Sequence, residues 1–175
     1  MSQNLSTNTT STPTLEPTLP DTSGPYVRPL EAADFDAVIE INQGALEGVG
    51  PLDRESLAAL VAEADDALVL DDDGAIAGFV ITLPPGADYD SSRYRWFEDR
   101  LKDYVYLDRI VTASTHRRQG VASRLYDAIE GDLPIGLEIY ETNDGSIAFH
   151  TGRGYREVGR LEHEGKVNLM MLRTR

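Results

Sequence analysis

No cysteine occurs among the 175 residues, so disulfides, thiolate metal sites and a cysteine nucleophile are all excluded. No apolar run approaches the roughly 18 residues that span a bilayer, so no membrane segment is expected. The opening MSQNLSTNTTSTPT has neither the basic start nor the apolar block of a secretory signal, and a cytoplasmic protein is expected. The N-glycosylation patterns at Asn4 and Asn8 then read as accidents of a Ser/Thr-rich background. Basic residues are scarce. Sixteen Lys and Arg against 30 Asp and Glu leave a net charge of −14, which disfavours sequence-independent binding to nucleic acid. The acidity reads first as a solvated surface and second as an attraction for cationic amines. Two phosphate-binding patterns are also missing: there is no GxxxxGK(S/T), and GRGYREVG spaces its third glycine wrongly for a dinucleotide fingerprint.

What remains supports one domain. A chain with 41% hydrophobic residues can build one well-buried core, expected over residues 25–175. Residues 1–24, rich in Ser, Thr and Pro with only Glu16 and Asp21 charged, are expected to form a disordered tail. Strand patterns are expected over residues 26–30, 67–70, 75–83, 104–112, 135–140, 157–161 and 167–172. Helical spacing begins near Asp34 with Phe35, Val38 and Ile39, and Asp53 caps a second helix that buries Leu57 and Leu60. Residues 84–103 form a loop leading into a short helix, and further helices follow over residues 121–129 and 146–152. The order β-α-α-β-β-α-β-α-β-α-β-β makes an α/β fold with a mixed sheet.

Between the strand expected at residues 104–112 and the helix expected from residue 121 stands Arg117-Arg118-Gln119-Gly120-Val121-Ala122. Small residues at Gly120 and Ala122 let a ligand approach the backbone, and the unpaired amides of the helix start, with the dipole behind them, suit an anion such as phosphate. Arg117 and Arg118 add charge-assisted donors at the rim. A basic turn before a glycine helix start explains the same residues.

This stretch resembles the pyrophosphate loop of the GNAT superfamily of acetyl-CoA-dependent N-acetyltransferases: Arg or Gln, two free residues, Gly, one free residue, then Gly or Ala. Arg117, Gly120 and Ala122 fill its fixed positions. A second resemblance runs through Asn143, Ser146, Phe149, His150, Gly154 and Tyr155, and together they cover about residues 26–172. PPGADYDSSRYRWF, YLDRIVT and SIAFH resemble a little-described bacterial branch of predicted acetyltransferases. The resemblance implies a GNAT fold: a mostly antiparallel mixed sheet of about seven strands, with flanking helices and two parallel central strands that splay apart. It implies acetyl-CoA in that gap, its pantetheine arm along Ile110, Val111 and Thr112 and its diphosphate on amides of Arg117, Arg118, Gln119, Gly120, Val121 and Ala122. Asn143, with Ser146, either reaches the pantetheine or caps the next helix.

The implied reaction is direct attack of a primary amine on the thioester, without metal or covalent acyl-enzyme; a non-catalytic acyl-CoA-binding module is the rival. Asp108 interrupts an apolar strand, shares a face with Ile110 and Thr112 by alternation, and is the first candidate base; pairing with Arg109 is its structural alternative. Glu141 is the substitute and Glu138 ranks behind it. His150 stands where the family places a tyrosine acid, and is either that acid or a packed histidine. Tyr155 reads as packing. The acceptor, an amine-bearing small molecule or peptide, is expected between residues 42–52 and 88–97, with Glu47, Asp88 and Asp90 as ammonium ligands and Tyr89, Tyr94 and Trp96 as walls. Family members often dimerise through their C-terminal strands. The apolar run at residues 167–172 fits either a homodimer contact or the core.

Overall fold

A computed structural model describes residues 24–174, so nearly all of the expected N-terminal tail lies outside the described residues. The strands are β1 (Tyr26–Pro29), β2 (Asp66–Asp72), β3 (Ala75–Leu83), β4 (Val105–Thr112), β5 (Ile135–Tyr140), β6 (Arg156–His163) and β7 (Lys166–Arg173). The helices are α1 (Phe35–Gln43), α2 (Arg54–Glu63), α3 (Ser92–Glu98), α4 (Val121–Ile129) and α5 (Asp144–Gly152). This is the element order read from the sequence. None of these helices is long and apolar enough to cross a membrane.

Local chemistry explains the boundaries. The Asp53 side chain accepts from the Ser56 amide at 2.8 Å to start α2, and Ser91 does the same for Tyr94 at α3. The β2–β3 hairpin turns at Asp73 and Gly74, both with positive φ (51° and 87°), the geometry a two-residue hairpin loop requires. Asn143 caps α5 by accepting from the Ser146 amide at 3.1 Å.

The seven strands lie in the order β1-β2-β3-β4-β5-β7-β6, and every pairing is antiparallel except β4 with β5. That parallel pair is registered only at Val105 with Ile135 and Tyr106 with Gly136. Beyond Tyr106 the strands part, β5 staying with β7 and β4 with β3. The expected splay is therefore present.

Two cores fill the sheet's faces. Phe35 and Val38 of α1, Leu57 and Leu60 of α2, and Tyr94 and Phe97 of α3 pack on one side with Tyr106, Val111 and Met170. Val121, Leu125, Tyr126 and Ile129 of α4 pack on the other with Val105, Leu107, Leu137 and Ile139. Leu169, Met170 and Met171 of β7 are buried within these cores, and β7 lies between β5 and β6, so its apolar run serves packing. Tyr155 is likewise a core residue, 1% exposed.

β4 carries a bulge that corrects the alternation inferred from sequence. Arg109 is opposite Ile81 and Leu107 is opposite Thr82, so Asp108 is the extra residue between them. The bulge reverses the side-chain parity: Tyr106 and Val111, five residues apart, face the same core, while Ile110 packs on the opposite one. Asp108 thus does not belong with Ile110. Its partners lie on the side of α1 and α3.

Candidate active site

Where β4 and β5 diverge, a cavity of about 240 Å³ opens between α3, α5 and the α1–α2 loop. β4 contributes Asp108 and Ile110, β5 contributes Glu138 and Tyr140, and α5 contributes Ser146 and His150. Tyr89 and Arg93, Asn168 of β7, and the turn Gly48-Val49-Gly50 also line it.

Asp108 is fully occupied. Its Oδ1 accepts from Tyr89 Oη at 2.5 Å and its Oδ2 from Arg109 Nε at 2.7 Å, and its side chain is only 5% exposed. Arg109 continues the network by donating to Asn42 Oδ1 at 3.1 Å, and Asn42 donates to Gly50 O at 3.0 Å. Burial works against the charge on Arg109, but Asp108 beside it more than compensates and raises its pKa. The same carboxylate raises the Tyr89 hydroxyl further above its normal range, after burial as the main cause. This chain of contacts ties the bulge to α1 and fixes the turn that roofs the cavity.

Glu138 has a different environment. Tyr106 Oη donates to its Oε2 at 2.8 Å, while the nearest cation, Arg93 Nε, is 3.8 Å from Oε1. Burial, then the neighbouring Asp108 charge, pushes its carboxyl up to about 7. A carboxyl at that value can collect a proton near neutral pH, the property a general base needs. By sequence this residue ranks last of three acids. The signal was present, since Glu138 interrupts an apolar strand as Asp108 does, but facing and depth are not readable from one strand.

Glu141 lies apart from these groups, beyond the end of β5. It is 44% exposed, pairs with Arg160 at 3.4 Å and lines a separate surface hollow with Lys166 and Val167. His150 does reach the cavity wall but is 6% exposed with both ring nitrogens engaged. Nδ1 is 2.7 Å from the Ser146 carbonyl oxygen, which can only accept, so Nδ1 carries the proton. Nε2 then accepts from Tyr126 Oη. Burial lowers the His150 pKa and favours this neutral form.

The turn from Arg117 to Ala122 is open. Arg118 and Gly120 have φ of 61° and 78°, and a Cβ built on Gly120 meets nothing within 4 Å. The first hydrogen bond of α4 runs from Arg124 N to Gly120 O at 3.1 Å, leaving the amides before it at an uncapped helix start. Gln119 braces the turn by donating to Thr115 O at 3.0 Å. Arg117, Arg118, Gln119 and Gly120 are exposed, whereas Val121 is buried and Ala122 half-buried, so the cradle is formed by backbone and its rim by side chains. Arg117 and Asn143 line one cleft together with residues 43–48, and Arg117 and Thr112 line the next along α1. Ile110, Val111 and Thr112 pair with β3 on one edge, their other edge facing the gap. A strand gap running into an anion loop fits a long donor with a diphosphate at one end.

The model of the acetyltransferase (GNAT) family matches residues 35–155. This chain belongs to that family. Similar folds include Ard1 from Thermoplasma volcanium, 21% identical, covering 86% of this chain and 97% of that one with a TM-score of 0.69. Others are the ribosomal-protein-alanine N-acetyltransferase from Brucella melitensis (21% identity, 86% and 99% coverage, TM-score 0.63) and Naa20 from Chaetomium thermophilum in complex with a bisubstrate analogue (17%, 85% and 86%, 0.69). A comparison with curated proteins gives no match. GNAT members transfer acetyl, generally from acetyl-CoA, to amine-bearing acceptors.

Of the residues expected to wall the acceptor, two pack structurally. Tyr94 is 2% exposed and donates to Pro84 O at 2.8 Å, and Trp96 packs over Gly159. Asp90 pairs with Arg95 on the surface, and Asp88 and Glu47 do not line the cavity beside Glu138. Tyr89 does. Arg93 and Asn168 were not singled out in the sequence, although Asn168 interrupts an apolar strand.

Proposed function

We propose that this chain moves acetyl from acetyl-CoA to the primary amine of a small molecule or peptide by direct attack, with Glu138 as the base. The observation that carries the reading is Glu138 itself: a buried carboxyl at about 7, facing a cavity that joins the strand gap. An acceptor arrives as an ammonium ion and must lose a proton before attack. Glu138 takes that proton, directly or through one water. The nitrogen then bonds to the thioester carbon, the carbon–sulfur bond breaks, and the second amine proton ends on the departing sulfur. Asp108, with both oxygens occupied, acts on Glu138 through its charge and holds Arg109 and Tyr89 in place.

Sulfur is a tolerable leaving atom, because a thiol near the cysteine value of about 8.5 is expelled more easily than an alkoxide. A neutral His150 with its proton committed to Ser146 O is therefore compatible with turnover. The same occupied histidine favours, as a second reading, a domain that binds acyl-CoA without catalysis.

Calorimetric titration with acetyl-CoA, followed by thiol release across an amine panel, separates the two. Binding with turnover supports transfer, binding without turnover of any amine supports the sensor, and no binding overturns both.

A further inference from the structure

Among the described residues, three buried side-chain polar atoms lack a hydrogen-bond partner, and two of them, Arg93 Nε and Asn168 Oδ1, belong to residues that line the cavity beside Glu138. Orphaned buried groups are rare and costly, so two on one cavity ask for a ligand. Asn168 is completely buried, and its orientation is fixed: Nδ2 donates to the carbonyl oxygens of Leu161 and Lys166 at 3.2 and 3.4 Å, which turns Oδ1 away from them. Across the β5–β7 ladder Asn168 is opposite Tyr140, and Glu138 is two residues from Tyr140 on the same face. Arg93 reaches this face from α3, its guanidinium 6.0 Å from the Tyr140 ring centroid. Its Nε is 3.8 Å from Glu138 Oε1, beyond hydrogen-bond length.

The cavity thus presents one unused donor and one unused acceptor next to the proton-accepting carboxylate. A secondary amide supplies the complement of both, its carbonyl oxygen accepting from Arg93 and its N–H donating to Asn168. A carboxylate would satisfy Arg93 but set an anionic oxygen against Oδ1. A long aliphatic amine brings no polar group close to its nitrogen. The 3.8 Å between Glu138 Oε1 and Arg93 Nε also compares with the separation of an α-amine from its own carbonyl oxygen, about 3 Å by standard backbone geometry.

We propose that Arg93 and Asn168 read the first peptide unit of the acceptor, so that the substrate class is the α-amine of a peptide chain or aminoacyl amide, not a free amino acid or a lysine side chain. This rests on the transfer reading above. Arg93 and Asn168 are then specificity-determining residues, and Glu138 serves whichever amine they present.

The test uses the unaltered protein with acetyl-CoA and four acceptors: alanyl-glycine, its ester isostere alanyl-glycolate, free alanine, and Nα-acetyl-lysine amide. The dipeptide is expected to give the highest kcat/KM, with the ester, which lacks only the N–H, lower by about tenfold to a hundredfold. Asn168→Ala should bring the amide-to-ester ratio towards one, and Arg93→Lys should raise KM for the dipeptide more than it lowers kcat. A role confined to folding would leave the amide-to-ester ratio intact. Equal kcat/KM for the dipeptide, the ester and the lysine amine overturns the inference while leaving transfer standing. No turnover of any acceptor by acetyl-CoA-loaded protein, extended to the broader amine panel, overturns transfer and the inference with it.

Discussion

Tyr106 donates its hydroxyl proton to Glu138 at 2.8 Å just where β4 and β5 stop pairing. Tyr106 is completely buried and burial holds its pKa well above normal, so it stays a donor throughout the accessible pH range. Glu138, pushed up to about 7, is the group of this pair that titrates. Its proposed base role predicts a kcat/KM that climbs with pH through about 7 and levels off above it. Glu138→Gln should lower the plateau by about a hundredfold to ten-thousandfold and flatten the profile. Thiol release measured across pH checks both; an unchanged plateau in the variant removes Glu138 from the mechanism.

The same carboxyl makes a stability prediction of opposite sense. Because its folded value of about 7 exceeds the ordinary 4.5, the folded protein keeps a proton that the unfolded chain has already lost in that window. Stability from this group is therefore greatest below about pH 4.5 and declines as pH rises through about 7, by on the order of 3 kcal/mol if the full difference is realised. Glu138→Gln should melt higher than the parent at alkaline pH and level with it near the acid end. A variant that melts lower at alkaline pH would mean that the charge is stabilised by its surroundings.

Asp108 raises the Glu138 pKa by its charge, after burial. Asp108→Asn should therefore move the midpoint of the pH–rate profile to lower pH. It also strips Arg109, whose side chain is 10% exposed, of its carboxylate, which should destabilise the fold by about 3 kcal/mol. Denaturant melts and rate profiles of the one variant test both effects. A loss of rate at every pH without a moved midpoint would return the base role to Asp108, the first candidate from sequence.

That reassignment shows where a single sequence stops being informative. The order of elements was legible because Gly, Pro and Asp punctuate it, as at Asp53, Gly74 and Gly120. The turn from Arg117 to Ala122 was legible as a candidate anion site because its parts are contiguous. The cavity beside Glu138 joins Gly48, Tyr89, Arg93, Glu138 and Asn168 from four separate segments, and no single local pattern links them. The bulge at Asp108 adds one unpaired residue and reverses which side chains share a face. Strict alternation put Asp108 with Ile110, and only the β3 register reveals the slip. Glu141 ranks ahead of Glu138 by sequence, yet Glu141 ends on the surface and Glu138 is 15% exposed in the cavity.

His150 holds Tyr126 and Ser146 in one buried contact, and its folded pKa lies below the ordinary 6.5. The neutral ring's contribution to stability is therefore present above about pH 6.5 and lost as pH falls below it, the reverse of Glu138. His150→Phe should lose that acid dependence and, by stranding the Tyr126 hydroxyl, destabilise the fold by about 1 to 3 kcal/mol. Its kcat near pH 8 should fall less than about tenfold, since removing a general acid normally costs a hundredfold or more. A hundredfold loss of kcat with unchanged melting would establish His150 as the acid.

Gly120 separates the needs of the fold from those of the donor. A methyl group there meets no atom within 4 Å, but φ of 78° disfavours any side chain, so Gly120→Ala should cost about 1 to 2 kcal/mol by strain alone. If the diphosphate rests on the amides of this turn, the same methyl also obstructs the approach to the backbone, and the Kd for acetyl-CoA should rise about tenfold or more, the loss of roughly one hydrogen bond to a charged group. Arg117→Ala, which leaves the backbone free, should weaken binding less and reduce its salt dependence, as expected for an exposed charge on the rim. Calorimetric titration of both variants with acetyl-CoA distinguishes the cases: a Gly120→Ala protein that melts lower but binds as tightly as the parent would place the diphosphate elsewhere.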